Sequence, residues 1–199
     1  MADKVLFVDD DQNILSGFHR YMHDRYAIST ADSGHKGLDL MRTEGPFSVV
    51  VSDFKMPGMS GAQFLEHART EFPETIRIML SGQAEMHELV DVINSGNIFR
   101  FLNKPCPPDA LAKNIDDGIE QYRLIRSEKE LLEKTLSGSI KLLVDILSVV
   151  SATAFSKALR IRKLVKKYAE IMELENGWQY EIAALLSQIG CITIPETIL

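Results

Sequence analysis

Along the first hundred residues, short apolar runs rich in β-branched and aromatic side chains alternate with amphipathic stretches. The runs Lys4 to Val8, Tyr26 to Thr30, Ser48 to Ser52, Ile76 to Leu80 and Ile98 to Leu102 read as five strands. Each is nearly continuous in apolar residues rather than alternating, the pattern of a parallel sheet covered by helices on both faces. Between them the apolar positions recur at helical spacing, as in Met86, Leu89, Val90 and Ile93. The alternation predicts an α/β fold with a doubly wound five-stranded parallel sheet, whose ligand site lies at the carboxyl ends of the strands.

After Lys104-Pro105-Cys106-Pro107-Pro108 the pattern becomes helical. From Asp109 to about Leu136, Leu111, Ile115, Ile119, Tyr122, Ile125, Leu132 and Leu136 form an imperfect three-and-four stripe, with Lys129 falling in it and Gly118 close by. Two readings stay open for this stripe: a helix packed on its own domain, or a coiled-coil homodimer. Ser137-Gly138-Ser139 is read as a break, followed by three helices at about 140–151, 155–174 and 178–189. The expected organisation is a first domain over 1–122, a long last helix and linker over 109–137, and a small helical module over 138–199.

Composition adds limits. Hydrophobic residues make up 45% and charged residues 25%, the balance of a globular protein. A formal net charge of -6 argues against direct contact with nucleic acid, which needs clustered Lys and Arg. Cys106 and Cys191 lie far apart and suggest no disulfide framework. The opening MADKVLFVDDD lacks the pattern of a secretory leader, and no apolar run reaches membrane-spanning length, so a cytoplasmic location without membrane contact is expected.

The chemistry gathers at strand ends. Strand one leads into Asp9-Asp10-Asp11, strand three into Asp53, strand four into Ser81, and strand five is followed by Lys104. Clustered carboxylates repel one another unless a cation intervenes, and an all-oxygen set suits Mg²⁺. The turn Phe54-Lys55-Met56-Pro57-Gly58 could add the Lys55 backbone carbonyl as a further metal oxygen. A carboxylate beside Mg²⁺ is a competent nucleophile toward a phosphoryl group, with a lysine offsetting charge on the transferring oxygens. Taken singly these residues have plainer uses: an acidic pair caps a helix or fills a turn, Ser81 caps a helix, and Lys104 is a surface charge. His19 and His23, four residues apart on a predicted helix, lack an evident third ligand and read as surface residues. His35, His67 and His87 are isolated and receive no role.

From about Lys4 to Tyr122, the segments LFVDDD, VVVSDFKMPGMSG, IMLSG and FRFLNKP follow in an order and spacing that resembles a bacterial response-regulator receiver domain. The resemblance implies a two-component signalling protein of the CheY-like class. Asp9 and Asp10 would hold Mg²⁺ with Asp53, the phosphoacceptor. Ser81 would be the switch hydroxyl, Lys104 the family's lysine, and Phe101 its aromatic switch position, though it has no ring hydroxyl to donate. The resemblance further implies a cis Lys104-Pro105 peptide and a sensor histidine kinase or phosphotransfer protein as phosphodonor. A downstream protein partner would read the switch.

The second half resembles the start of an HD or HD-GYP module, through Phe155 to Ile161, Ala183 to Gly190 and Ile194-Pro195. Where hydrolytic members carry metal-binding His and His-Asp, this chain has Lys157 and Ser187-Gln188, and all five histidines lie at or before residue 87. The expectation is a degenerate, incomplete, non-catalytic module rather than a phosphohydrolase. Two alternatives remain: a receiver fused to a cyclic-dinucleotide phosphodiesterase, and a pseudo-receiver adaptor that is never phosphorylated. The basic run from Arg160 to Lys167 reads as a solvated helix face with Leu164, Val165, Tyr168 and Ile171 inward.

Overall fold

A computed structural model describes residues 3–82, 98–172, 174, 177–188 and 190. The chain divides into two compact units, Met1–Glu128 and Lys129–Leu199. In the first, the strands are β1 (Lys4–Val8), β2 (Ala27–Ala31), β3 (Val49–Asp53), β4 (Ile76–Ser81) and β5 (Arg100–Asn103). They form one parallel sheet in the order β2-β1-β3-β4-β5. The order reverses between β1 and β3, and it is there that such a sheet opens a crevice at its carboxyl edge.

The helices are α1 (Gln12–Met22), α2 (Gly34–Glu44), α3 (Gly61–Glu71) and α4 (Pro108–Val150). One sheet face contributes Val5, Phe7, Val49, Val51, Ile78 and Leu80 to a core shared with Leu15 and Met22 of α1 and Leu111, Ile115, Ile119 and Tyr122 of α4. The other face packs Leu6, Val8, Val50 and Met79 against Leu38 and Met41 of α2 and Phe64 and Leu65 of α3. Burial on both faces explains why the strands are nearly continuous in apolar residues. β3 and β4 each run one residue past the predicted end and so take in Asp53 and Ser81. β2 begins one residue late because Tyr26 closes the preceding turn. Its amide donates to the Met22 carbonyl at 3.1 Å, and its hydroxyl donates to Asp116 at 2.7 Å. Desolvation, with that hydrogen bond to Asp116, pushes the Tyr26 hydroxyl well above its usual range. The predicted stretch around Met86, Leu89, Val90 and Ile93, and His87 with it, lies outside the described residues.

The stripe on α4 resolves in two parts. Leu111, Ile115, Ile119 and Tyr122 are buried in the chain's own core, with Ile125 packed against it, whereas Leu132 and Leu136 are exposed. Gly118 lies within the packed part because a Cβ there would sit 3.2 Å from the side chains of Ile76 and Val49.

The predicted break at Ser137-Gly138-Ser139 is not found: α4 runs through it. The Ser139 hydroxyl donates to the Thr135 carbonyl at 3.0 Å, one turn back, so the serine's polar group is satisfied inside the helix. A single interior glycine costs only about 1 kcal/mol, and the helix-favouring residues on either side absorb it.

In the second unit, Ser151 caps α5 (Ala152–Ile171) by accepting from the Ala154 amide at 3.2 Å, and α6 (Gly177–Leu186) follows. The inward face of α5 differs from the predicted one. Ala154, Ala158 and Ala169 are buried, whereas Leu164, Tyr168 and Ile171 are exposed. Small alanines allow close packing between helices, and Arg162 pairs with Glu181 of α6 at 2.9 Å. Among the described residues, no helix is long and apolar enough to cross a membrane.

Replacing Gly118 with Leu should overpack the contact between α4 and the sheet. The full chain should lose about 1–3 kcal/mol in urea unfolding, with helix content kept in the folded baseline.

Candidate functional site

The site forms because parallel pairing brings four strand ends into line. Val8 pairs with Ser52, Asp53 with Leu80, and Ser81 with Asn103. Asp9, Asp53, Ser81 and Lys104 thus leave the sheet along one edge. Two backbone bonds fix β4 between its neighbours there: the Phe54 amide donates to the Leu80 carbonyl at 2.9 Å, and the Lys104 amide donates to the Ser81 carbonyl at 2.8 Å. The Lys104-Pro105 peptide is cis, in agreement with the expectation, and so is Gly45-Pro46, which sequence reading did not anticipate.

The Lys104 ammonium bridges two carboxylates, 2.8 Å from Asp9 Oδ2 and 2.7 Å from Asp53 Oδ1. Asp9 is 2% exposed, and its other oxygen accepts from the Asp11 amide at 2.9 Å. The acidic triplet divides its work. Asp11 caps α1 by accepting from the Asn13 amide at 2.8 Å, Asp9 points to the lysine, and Asp10 is exposed. Asp9, Asp10 and Asp53 each offer a carboxylate oxygen, all within 4.8 Å of one another. That donor set of hard oxygens on one open edge fits Mg²⁺.

The electrostatics follow from burial. Desolvation raises the Asp53 carboxyl above its usual range. The Lys104 hydrogen bond and charge pull it back in part, and the Asp9 charge raises it again. Burial also disfavours the Lys104 ammonium, but its hydrogen bonds to Asp53 and Asp9 more than offset this and raise its pKa. For Asp53 the folded state binds a proton more readily than the unfolded chain, so ionising it opposes folding as pH rises through the folded value. For Lys104 the ion pairs stabilise the fold at lower pH, and that contribution is lost as pH rises through its raised value.

Ser81 is buried and its hydroxyl donates to the Gly82 carbonyl at 3.2 Å. Phe101 of β5 pairs with Met79 and is half-buried against the cluster that contains Phe54, Met56 and Phe64. Lys55 follows β3 in the loop and has an exposed side chain. His19 and His23 stack with ring centroids 5.8 Å apart, and no third ligand joins them among the described residues.

One contributor escaped the sequence reading. Gly61 donates its amide to the Phe54 carbonyl at 2.9 Å, and a Cβ there would collide with the Asp53 carbonyl oxygen. The loop after Asp53 therefore returns tightly against the strand end, and Ser60 and Gln63 fix that return with a capping box. The Ser-x-x-Gln spacing was a readable signal; the close backbone approach was not.

A parallel sheet in this order with an acidic crevice and a bridging lysine defines a CheY-like receiver fold. The sequence model described as response regulator receiver domain matches residues 5–116, and the chain belongs to that family. Receiver domains are non-enzymatic signalling domains of two-component systems, which accept phosphate from histidine kinases and bind Mg²⁺ through an acidic pocket. The chain is similar to the hydrogenase transcriptional regulatory protein HoxA of Cupriavidus necator, 30% identical over 127 residues, covering 62% of this chain and 26% of that protein. It therefore spans about a quarter of that relative's length. Among solved structures it resembles one titled adenylate cyclase from Rhodopirellula baltica, with TM-score 0.65 and 36% identity, covering 67% of this chain and 99% of that one. It also resembles the signal receiver domain of an HD domain-containing protein from Pseudomonas fluorescens Pf-5, with TM-score 0.58 and 25% identity, covering 62% and 98% respectively.

Calorimetric titration should show one Mg²⁺ site, and saturating metal should raise the thermal midpoint. At a hundredfold excess over the dissociation constant the stabilisation is about 2.7 kcal/mol. Asp10→Asn, which removes a carboxylate without touching the Lys104 bridge, should weaken the metal about tenfold or more.

Proposed function

We propose that this chain is switched by transfer of a phosphoryl group from a sensor histidine kinase or phosphotransfer protein to Asp53. The observation that carries the reading is the Lys104 ammonium 2.7 Å from Asp53 Oδ1 and 2.8 Å from Asp9 Oδ2. A carboxylate oxygen of Asp53 attacks phosphorus, the bond from phosphorus to the donor nitrogen breaks, and the leaving imidazole takes the electron pair. Asp9, Asp10, Asp53 and the Lys55 carbonyl would hold Mg²⁺, which would supply positive charge to the transferring oxygens when bound. Lys104 offsets the charge of the acyl phosphate. The Ser81 hydroxyl turns from the Gly82 carbonyl toward a phosphoryl oxygen, and Phe101, lacking a ring hydroxyl, follows by repacking.

Residues 1–122 are assigned to the receiver and 109–137 to its extended helix. Residues 138–199 are assigned to a degenerate HD-like module that passes the change to a protein partner without catalysis. On this assignment Lys157 and Ser187-Gln188 would stand where hydrolytic members have metal ligands. The Ser187 hydroxyl, just past the end of α6, donates to the Ala184 carbonyl of that helix at 2.7 Å. HoxA is named a transcriptional regulator; for the residues of this chain, the net charge of -6 favours a protein partner over nucleic acid.

Incubation with acetyl phosphate and Mg²⁺ should add one phosphoryl group by intact mass, absent in Asp53→Ala. An unmodified wild type would instead favour the pseudo-receiver adaptor. Assays with Mn²⁺ or Fe²⁺ should show no hydrolysis of a cyclic dinucleotide, and turnover would restore the phosphodiesterase alternative.

A further inference from the structure

Ser52 precedes Asp53 on β3 and is fully buried. A serine hydroxyl in such a place has to find its acceptor inside the protein. It donates to the backbone carbonyl of Asp53 at 2.9 Å. That carbonyl is in need of a donor, because the pairing of β1 with β3 ends at Val8 and Ser52, one residue short of it. The Asp9 amide turns the other way, to the Ala31 carbonyl at 3.1 Å.

We propose that Ser52 is a positioning residue for Asp53, holding its carboxylate where it would bind Mg²⁺ and attack phosphorus. The peptide that joins Asp53 to Phe54 is gripped at both ends. Ser52 holds its carbonyl, and the Leu80 carbonyl of β4 holds its amide at 2.9 Å. With that plane fixed, the Asp53 carboxylate leaves a stationary Cα toward the Lys104 ammonium 2.7 Å away. The carbonyl of Phe54 is held in turn by the Gly61 amide at 2.9 Å.

Water cannot take the place of the hydroxyl. A Cβ on Gly61 would come 3.0 Å from Ser52 Oγ and collide with the Asp53 carbonyl, so α3 begins directly against this bond and leaves no room for a solvent molecule. Loss of the hydroxyl therefore strands a buried carbonyl. The peptide plane relieves it by turning, and the carboxylate moves with the plane. A ligating carboxylate deprived of such support loses about ten- to a hundredfold in metal affinity or activity. For the rate of transfer this rests on Asp53 as the phosphoacceptor; for metal affinity it does not.

Calorimetric Mg²⁺ titration of the full chain, with single-turnover phosphorylation by acetyl phosphate followed by intact mass, tests the proposal. Ser52→Ala should bind Mg²⁺ about tenfold or more weakly. Its rate at saturating metal and donor should fall by about ten- to a hundredfold, with the donor concentration at half-maximal rate within about twofold of wild type. Ser52→Thr, which keeps the donor, should stay within about threefold of wild type in Mg²⁺ affinity and rate. If Ser52→Ala does not fold, Ser52→Cys, which fills the site with a much weaker donor, should show the same losses. A folded Ser52→Ala with Mg²⁺ affinity within about twofold of wild type would make the hydroxyl structural only and overturn the proposal. Ser52→Thr losing as much as Ser52→Ala would overturn it too, since the loss would then follow packing rather than the donor. A wild type left unmodified by the donor would remove the phosphoacceptor reading, while the Mg²⁺ titration would still decide on Ser52.

Discussion

Three carboxylates within a few ångströms of one another do not sit at a sheet edge for nothing. Their mutual repulsion has to be offset, and here a single ammonium, that of Lys104, is shared between Asp9 and Asp53. The sheet exists in this form around that contact. β1 delivers one acid, β3 the next, and the lysine arrives immediately after β5, with β4 held between the last two by backbone bonds from Phe54 and Lys104. The ammonium is also where the structure joins chemistry, since the charge that stabilises the resting acids is the charge that a phosphoryl group would claim. Burial raises the pKa of Asp53, and for the partly desolvated lysine the two acids that face it more than offset the effect of burial and raise its pKa.

The fold and the acid cluster were legible because they rest on strong, local signals. Runs such as Val49-Val50-Val51 are apolar on both faces, which admits few structures other than a covered parallel sheet. Once the strands were placed, the topology aligned Asp9, Asp53, Ser81 and Lys104 without further information. The division of labour inside Asp9-Asp10-Asp11 was not legible, because three identical residues in a row differ only in where the backbone turns into α1. The tight return at Gly61 was hidden for the same reason: it depends on a distance between backbone segments, not on composition.

The helical half shows where periodicity fails. One helix runs on past the sheet it packs against, and the sequence stripe from Leu111 to Leu136 is buried only in its first part, with Leu132 and Leu136 exposed. Ser137-Gly138-Ser139 resembled a turn, yet a serine that bonds its own helix one turn back removes the reason to break. On α5 the large side chains Leu164, Tyr168 and Ile171 are exposed and the buried residues are Ala154, Ala158 and Ala169, because helices that approach closely are packed by their smallest residues. In each case the deciding quantity was a distance to a neighbouring element, which spacing along a single chain does not contain.

Borohydride reduction of the phosphodonor-treated chain, followed by peptide mapping, tests the account most directly. Reduction converts an aspartyl phosphate to homoserine and leaves free carboxylates untouched, so it reports which acid received the group. The account predicts homoserine at position 53 and at neither position 9 nor position 10. Homoserine at Asp9 or Asp10, or at none of the three under conditions where the donor is consumed, would contradict it.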